Sequence, residues 1–341
     1  MTNERGRTTT RRKVLQGAAK LTAGAAALAT FGPTSPAQAA GIYQWGSASL
    51  GSTGYQIITV LAAAVTKHSD LRCSSLSTAG GAENMALLGE GIIDFGQSTT
   101  TDWMPAIKGL GRYKKPVKAY QMFSYTVWQC TPMVLADSDI MTLEDLAGKR
   151  VMPATAGGAT AGMWKTLFEA AGIADKVKWT YGSWTESYNA LKSGAVDCIP
   201  SLLTSGNPSG RMIELEVARK VRMLPISAEL VAKAAAMNPG VMEATVTPET
   251  YKSLAAPQRF VSFAGILAVH PRIDEETGYT VTKAVYDNAA EVRKKGKVQL
   301  KDVEIDFATK YLMPAYPVHP GAARYFKEKG VWRDELTIAK L

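Results

Sequence analysis

The chain is poor in the residues from which catalytic and metal centres are built. Its three histidines, His68, His270 and His319, lie far apart, and capping, surface or core roles account for each. The three cysteines, Cys73, Cys130 and Cys198, are an odd number, whereas a disulfide framework needs an even, closely spaced set. Each sits among strand-like residues, so buried free thiols are expected. No Cys/His/Asp group has metal-ligand spacing, and neither a metal nor a cofactor is implied. A Gly-x-Ser-x-Gly elbow, a phosphate-binding loop ending in Gly-Lys-Ser/Thr and a His-Glu-x-x-His pair are all missing. The chain does not read as an enzyme.

Long apolar runs are also lacking. The most apolar early stretch, residues 17–31, is rich in Ala and Gly, too short and too poor in Leu and Ile to span a membrane stably. It follows Thr10-Arg11-Arg12-Lys13-Val14-Leu15-Gln16, which looks like a twin-arginine export motif. It precedes Ala37-Gln38-Ala39, the small-x-small pattern that signal peptidase reads. Residues 1–39 are therefore expected to be an export signal, and cleavage there leaves 302 of the 341 residues, a periplasmic monomer. The formal charge of +9 shrinks accordingly. Arg5, Arg7, Arg11, Arg12, Lys13 and Lys20 oppose only Glu4 in the signal, so +4 remains on the mature chain. With no long Lys/Arg block and no aromatic–basic interleaving, nucleic acid is not a partner.

What the chain does have is a repeat. Leu88, Gly91, Asp94 and Ser98 are spaced as are Leu191, Gly194, Asp197 and Ser201, so both copies read Leu-x-x-Gly-x-x-Asp-x-x-x-Ser. Upstream of each lies a small-residue turn, Gly51-Ser52-Thr53-Gly54 in one copy and Gly157-Gly158-Ala159-Thr160 in the other. Two similar halves imply two α/β lobes, and ligands favour the cleft between lobes.

Periodicity fills in the halves. A strand over 42–48, a helix over 55–68, a strand over 71–77, a short helix from 79 to 88 and a strand over 92–96 make a parallel α/β unit. Residues 117–136 are extended and apolar and are expected to cross between lobes. In the second half, Thr142 reads as an N-cap. Strands near 148–152, 176–181 and 195–199 alternate with helices over 163–171 and 185–191. Beyond these come a helical 214–219 and a strand-like 221–224, then a turn-rich 239–257. An extended 259–269 is a return crossing, and helices are expected over 277–294 and 305–312. The lobes are expected at 40–130 plus 258–341 and at 131–257.

The small-residue turns are the best candidates for chemistry. A strand that ends in Gly, Ser or Thr and runs straight into a helix points free N–H groups beyond the sheet, where the helix dipole adds positive potential. Carboxylates and phosphates bind such ends. Turns of this kind lie at 51–54, 79–82 and 157–160. Gln97, Ser98 and Ser201 follow strands at corresponding places and could contact a polar ligand or cap the next turn. Trp103, Trp128, Trp164 and Trp184 could wall a ligand, although buried packing is the commoner role.

Four segments resemble the TAXI-type solute-binding proteins of TRAP transporters. They are Gly46-Ser47-Ala48 through Gly51-Ser52-Thr53-Gly54-Tyr55; Gly80-Gly81-Ala82-Glu83-Asn84 through Asp94 and Gln97-Ser98; Asp145-Leu146-Ala147-Gly148-Lys149-Arg150-Val151 through Gly157-Gly158-Ala159-Thr160; and His319-Pro320-Gly321-Ala322 with Arg324-Tyr325. The resemblance implies a type II periplasmic-binding-protein fold with a hinged cleft. It also implies capture of a carboxylate or amino acid such as glutamate or 2-oxoglutarate, and delivery to an integral membrane TRAP subunit. Carried over residue by residue, it implies a pocket of Ser47, Thr53, Tyr55, Gly81, Asn84, Gln97, Ser98, Gly158 and Thr160, with Asn207 as a further candidate. The family often has two adjacent tyrosines where this chain has Gly54-Tyr55, which reshapes that wall. A ligand sensor for a membrane receptor and an exported enzyme on the same fold are the competing readings.

Overall fold

The computed structural model describes residues 41–341. The expected export signal lies outside the described residues. Tertiary structure is organised by two sets of strands with the same order, one a continuous sheet and the other a two-stranded and a three-stranded sheet joined by a single bridge. In the first, Arg72–Leu76, Ile42–Gly46 and Phe95–Thr99 lie side by side and parallel. Gln258–Val269 then pairs antiparallel with Phe95–Thr99, and Tyr120–Cys130 pairs antiparallel with Gln258–Val269. In the second, Lys178–Trp179 and Arg150–Val151 are parallel, and Val151 bridges in parallel to Cys198. Ile199–Pro200 then meets Pro132–Leu135 antiparallel, and Val221–Met223 closes that order antiparallel to Pro132–Leu135. This is the two-lobed α/β architecture that the repeat implied.

The repeated motif turns out to build each lobe by the same four contacts. Leu88 and Leu191 are fully buried. Gly91 and Gly194 take φ of 70° and 74°, where a side chain would be strained, and stop helices Gly81–Gly89 and Trp184–Ser193. Asp94 accepts from the Gln44 amide at 2.8 Å, and Asp197 from the Arg150 amide at 2.7 Å. Each aspartate thereby clamps the third strand of its lobe to the first. Ser98 donates to the Ile266 carbonyl at 2.7 Å and Ser201 to the Thr131 carbonyl at 2.9 Å, pinning the third strand to the crossing chain.

The extended run over 117–136 does cross. Tyr120–Cys130 belongs to the first sheet and Pro132–Leu135 to the second. The helix Thr53–His68 buries Ile57, Ile58, Leu61, Ala62 and Val65 along the expected stripe. Cys130 and Cys198 are buried and Cys73 is half-buried, all three as free thiols. His319 is fully buried, where its Nδ1 accepts from the Gly321 amide and caps helix Pro320–Glu328.

Several local expectations need correcting. The segment read as turn-rich holds the strand Met242–Val246, paired with Gln258–Val269. The helix expected over 277–294 is two, Glu275–Tyr286 and Ala289–Gly296. The Thr142 side chain is not the cap of its turn. Asp145 instead accepts from the Met141 and Thr142 amides, and the turn Glu144–Leu146 is only a 3-10 helix. The strand placed at 92–96 lies at Phe95–Thr99, because Asp94 is spent on the clamp to Gln44.

Candidate functional site

Two helices open onto one cavity between the lobes. The first, Thr53–His68, brings Ser52, Thr53 and Gly54 to its wall; the second, Ala159–Ala170, brings Gly158, Ala159 and Thr160. The space is about 440 Å³ when counted out into open solvent. An α-helix cannot pair its own first amides. Ser52 caps one of them, accepting from the Tyr55 amide at 3.1 Å. Gly158 has no side chain with which to cap its helix. Most helices of this chain carry Asp or Glu in the first turn, as Glu83, Asp102, Glu186 and Glu229 do. Of the helix ends that reach the cavity, those at Gly80, Thr99 and Trp184 are among these, whereas the two that start at Thr53 and Ala159 carry no acid. Their positive ends are left for something else to meet.

The rest of the wall is neutral. Trp128 and Phe263 come from the two crossing strands and stack at 5.9 Å between ring centroids. Trp184 and Leu202 come from the second lobe. No Lys, Arg, Asp or Glu is among the described residues that line the cavity. Gln97 is 6% exposed, and its side-chain amide oxygen is buried with no hydrogen-bond partner among the described residues. An orphaned buried amide oxygen costs about 1–3 kcal/mol, so a partner from outside the chain would be favoured. Ala154 also lines the cavity and is held at φ 68°, a conformation costly for alanine.

The structure brings some of the expected residues together and not others. Thr53, Gln97, Gly158 and Thr160 share the cavity wall. Gly80 lines it in place of Gly81. Ser47 donates to the Leu76 carbonyl at 2.6 Å. Asn84 donates to the carbonyls of Ser47 and Gln97 at 2.7 and 2.9 Å, so it ties the ends of two strands together. Ser98 is held by Ile266 and accepts from the Trp103 indole at 3.1 Å. Tyr55 faces a separate hollow beside Val298, and Asn207 donates to the Ser205 carbonyl at 2.8 Å. Phe263, Leu202 and Ala154 carried no signal in the sequence. Trp128 and Trp184 were visible only as candidate wall aromatics.

The lobes meet along a seam beside the cavity. The Glu83 amide donates to the Gly157 carbonyl at 3.2 Å, and the Thr155 hydroxyl donates to the Ala79 carbonyl at 2.7 Å. A Cβ at Gly157 would come within 2.8 Å of the Ala79 Cβ and 2.9 Å of Arg112 Nη1, which is closer than real Cβ atoms approach. An outer hollow, about 960 Å³ when counted out into open solvent, shares Ser52, Thr53, Trp184 and Leu202 with the cavity and includes Arg211, paired to Glu214 at 3.1 Å.

One buried charge stands behind the wall. Asp102 accepts from the amide and hydroxyl of Thr99 at 2.8 and 2.9 Å. Burial nonetheless pushes its carboxyl up to about 6, the Thr99 bonds and Arg112 opposing the rise. Among the described residues there is no helix long and apolar enough to cross a membrane and no group of His, Cys, Asp or Glu set to hold a metal ion.

Comparison with known structures finds distant likenesses. The alkanesulfonate-binding protein SsuA from Xanthomonas axonopodis pv. citri, bound to MOPS, is 12% identical over 87% of this chain and 96% of its own, with a TM-score of 0.44. A binding-protein component of an ABC phosphonate transporter from Pseudomonas aeruginosa is 13% identical over 74% and 77%, with a TM-score of 0.49. A putative L-cystine ABC transporter protein from Listeria monocytogenes is 15% identical over 80% and 99%, with a TM-score of 0.46. Among protein families, one model matches residues 45–330, most of the chain, and the chain belongs to the NMT1-like family.

Proposed function

We propose that this protein is an exported solute-binding protein that captures a small organic anion between its lobes and hands it to a membrane transporter. The carrying observation is the cavity into which two uncapped or Ser-capped helix N-termini open, with no acid in either first turn. Each end presents roughly half a positive charge, and each offers free amides to carboxylate oxygens. Thr53, Gly158 and Thr160 are the proposed anchors, with Gln97 beside them. No salt bridge is needed, and none is offered by the wall.

The resemblance to TAXI-type proteins supports a TRAP transporter as the recipient and a carboxylate as cargo. Two of the three structures named above are described as parts of ABC transporters, so the recipient is worth testing directly. Uptake in cells carrying this protein should collapse with an ion-gradient uncoupler if the recipient is a TRAP transporter, and follow ATP depletion if it is an ABC transporter. For binding itself, calorimetric titration with short carboxylates should release heat with one site per chain, and small-angle scattering should show compaction. A radius unchanged by a saturating, calorimetrically bound anion would count against capture by lobe closure.

A further inference from the structure

We infer that the captured solute is a singly charged anion without an ammonium group, so that α-amino acids and dicarboxylates are excluded. The inference rests on the proposed anion-binding reading and narrows its substrate class. Two helix ends of about half a charge each offset about one negative charge. Three further helix ends reach the cavity, at Gly80, Thr99 and Trp184, but an acid in each first turn, Glu83, Asp102 and Glu186, already offsets them. At the first of these a Cβ on Gly81 would also collide with the Asp102 carboxylate. The Glu83 amide goes to Gly157.

The wall offers no compensation for anything further. A second carboxylate would need a cation there, and an ammonium would need an acid, yet the described lining residues include neither. The nearest acids are committed elsewhere. Glu83 accepts from the Ala79 amide, and Asp102 is bonded to Thr99. Arg112 stands against Gly157, off the cavity wall. The entrance cation, Arg211, is paired with Glu214 in the outer hollow. Unpaired charge is expensive once water is excluded, whereas Trp128, Phe263, Trp184 and Leu202 suit an uncharged organic body. The Gln97 side-chain oxygen, buried and unpartnered, is an acceptor, and it is the independent mark that a ligand carrying a donor such as a hydroxyl completes this site.

The test begins with what the protein carries. Full-length exported protein, purified without unfolding, is opened in acid and the released solute identified by mass spectrometry. One acidic group and no amine is the expected result; an amine or a second acidic group overturns the inference. Stripped protein is then titrated with matched series of two to six carbons: 2-hydroxy acids, 2-amino acids and dicarboxylates, with benzoate and ethanesulfonate as further monoanions. The 2-amino acids and dicarboxylates should bind at least roughly 100-fold more weakly than the best monoanion. Equal binding of 2-aminobutyrate or succinate refutes the charge argument and leaves anion capture standing. A released solute that is neutral or cationic refutes both. Leu202→Lys adds the missing cation to the wall and should admit succinate; a folded variant that gains none shows that wall charge is not the filter.

Discussion

Replacing Asp102 with Asn should make the protein more stable at neutral pH. Asp102 is fully buried beside the cavity, and its carboxyl is raised from the ordinary 3.8 to about 6, chiefly by burial. The groups around it are Arg112, which favours the charged form, the Thr99 amide and hydroxyl, and Tyr113 and Tyr125, whose phenols stay protonated. The sign follows from the order of the two values. Below about pH 3 the folded and unfolded chains both hold the proton, and Asp102 is as good as Asn. Between about 4 and 6 the unfolded chain ionises and the folded chain resists, so stability falls. Above 6 the loss levels off at about 3 kcal/mol, the energy equivalent of the gap between 3.8 and about 6. Asparagine keeps an acceptor for the Thr99 amide and carries no charge. Thermal unfolding followed by circular dichroism should therefore place the Asn variant roughly 5–10 °C above the parent at pH 7.5 and level with it at about pH 3. A variant less stable than the parent at pH 7.5 would refute the reasoning, because it would mean that Arg112 and the adjacent helix end repay the cost of burial.

Two further outcomes are expected. Gly157→Ala puts a methyl group against Ala79 across the seam, where backbone-fixed atoms cannot swing away; overpacking of about 1–3 kcal/mol should fall on the closed form alone. The melting temperature of the ligand-free protein should hold while anion affinity drops about 5- to 150-fold by calorimetry, and unchanged affinity would remove the seam from the closed state. Thr160→Val keeps the shape of a buried residue on the wall and should cost about 1–3 kcal/mol of affinity if its hydroxyl bonds the solute; loss of stability with intact affinity would confine Thr160 to shaping its turn.

The two-lobed plan was legible because the repeat is a set of backbone devices, and such devices leave fixed spacings. A left-handed Gly after a helix, an Asp that clamps a neighbouring strand and a Ser that pins the crossing chain must each fall at a set distance from the next. The helix Thr53–His68 was legible from its apolar stripe. Helix Thr100–Lys108 was not, since it holds Pro105 and depends on the Thr99–Asp102 capping box immediately after a strand. Strand Met242–Val246 alternates half-buried and exposed residues at a sheet edge and gave no apolar run. The wall was legible where it consists of helix starts, as at Thr53, Gly158 and Thr160. It was hidden where side chains arrive from distant segments, as at Leu202 and Phe263, and where a strained backbone sets the shape, as at Ala154.

The strand order also fixes a timetable for synthesis. Phe95–Thr99 owes its antiparallel neighbour to Gln258–Val269, and Tyr120–Cys130 lies on the other side of that same strand. Until residue 269 has left the ribosome, the first lobe is split into two open-edged pieces. The second sheet draws its strands from Pro132 to Met223 and is complete well before that. The nascent chain thus finishes its middle first, while its beginning waits with bare strand edges that other chains could pair with. A protein stopped short of residue 258 would not be a shorter receptor; it would be one finished lobe tethered to an aggregation-prone ribbon.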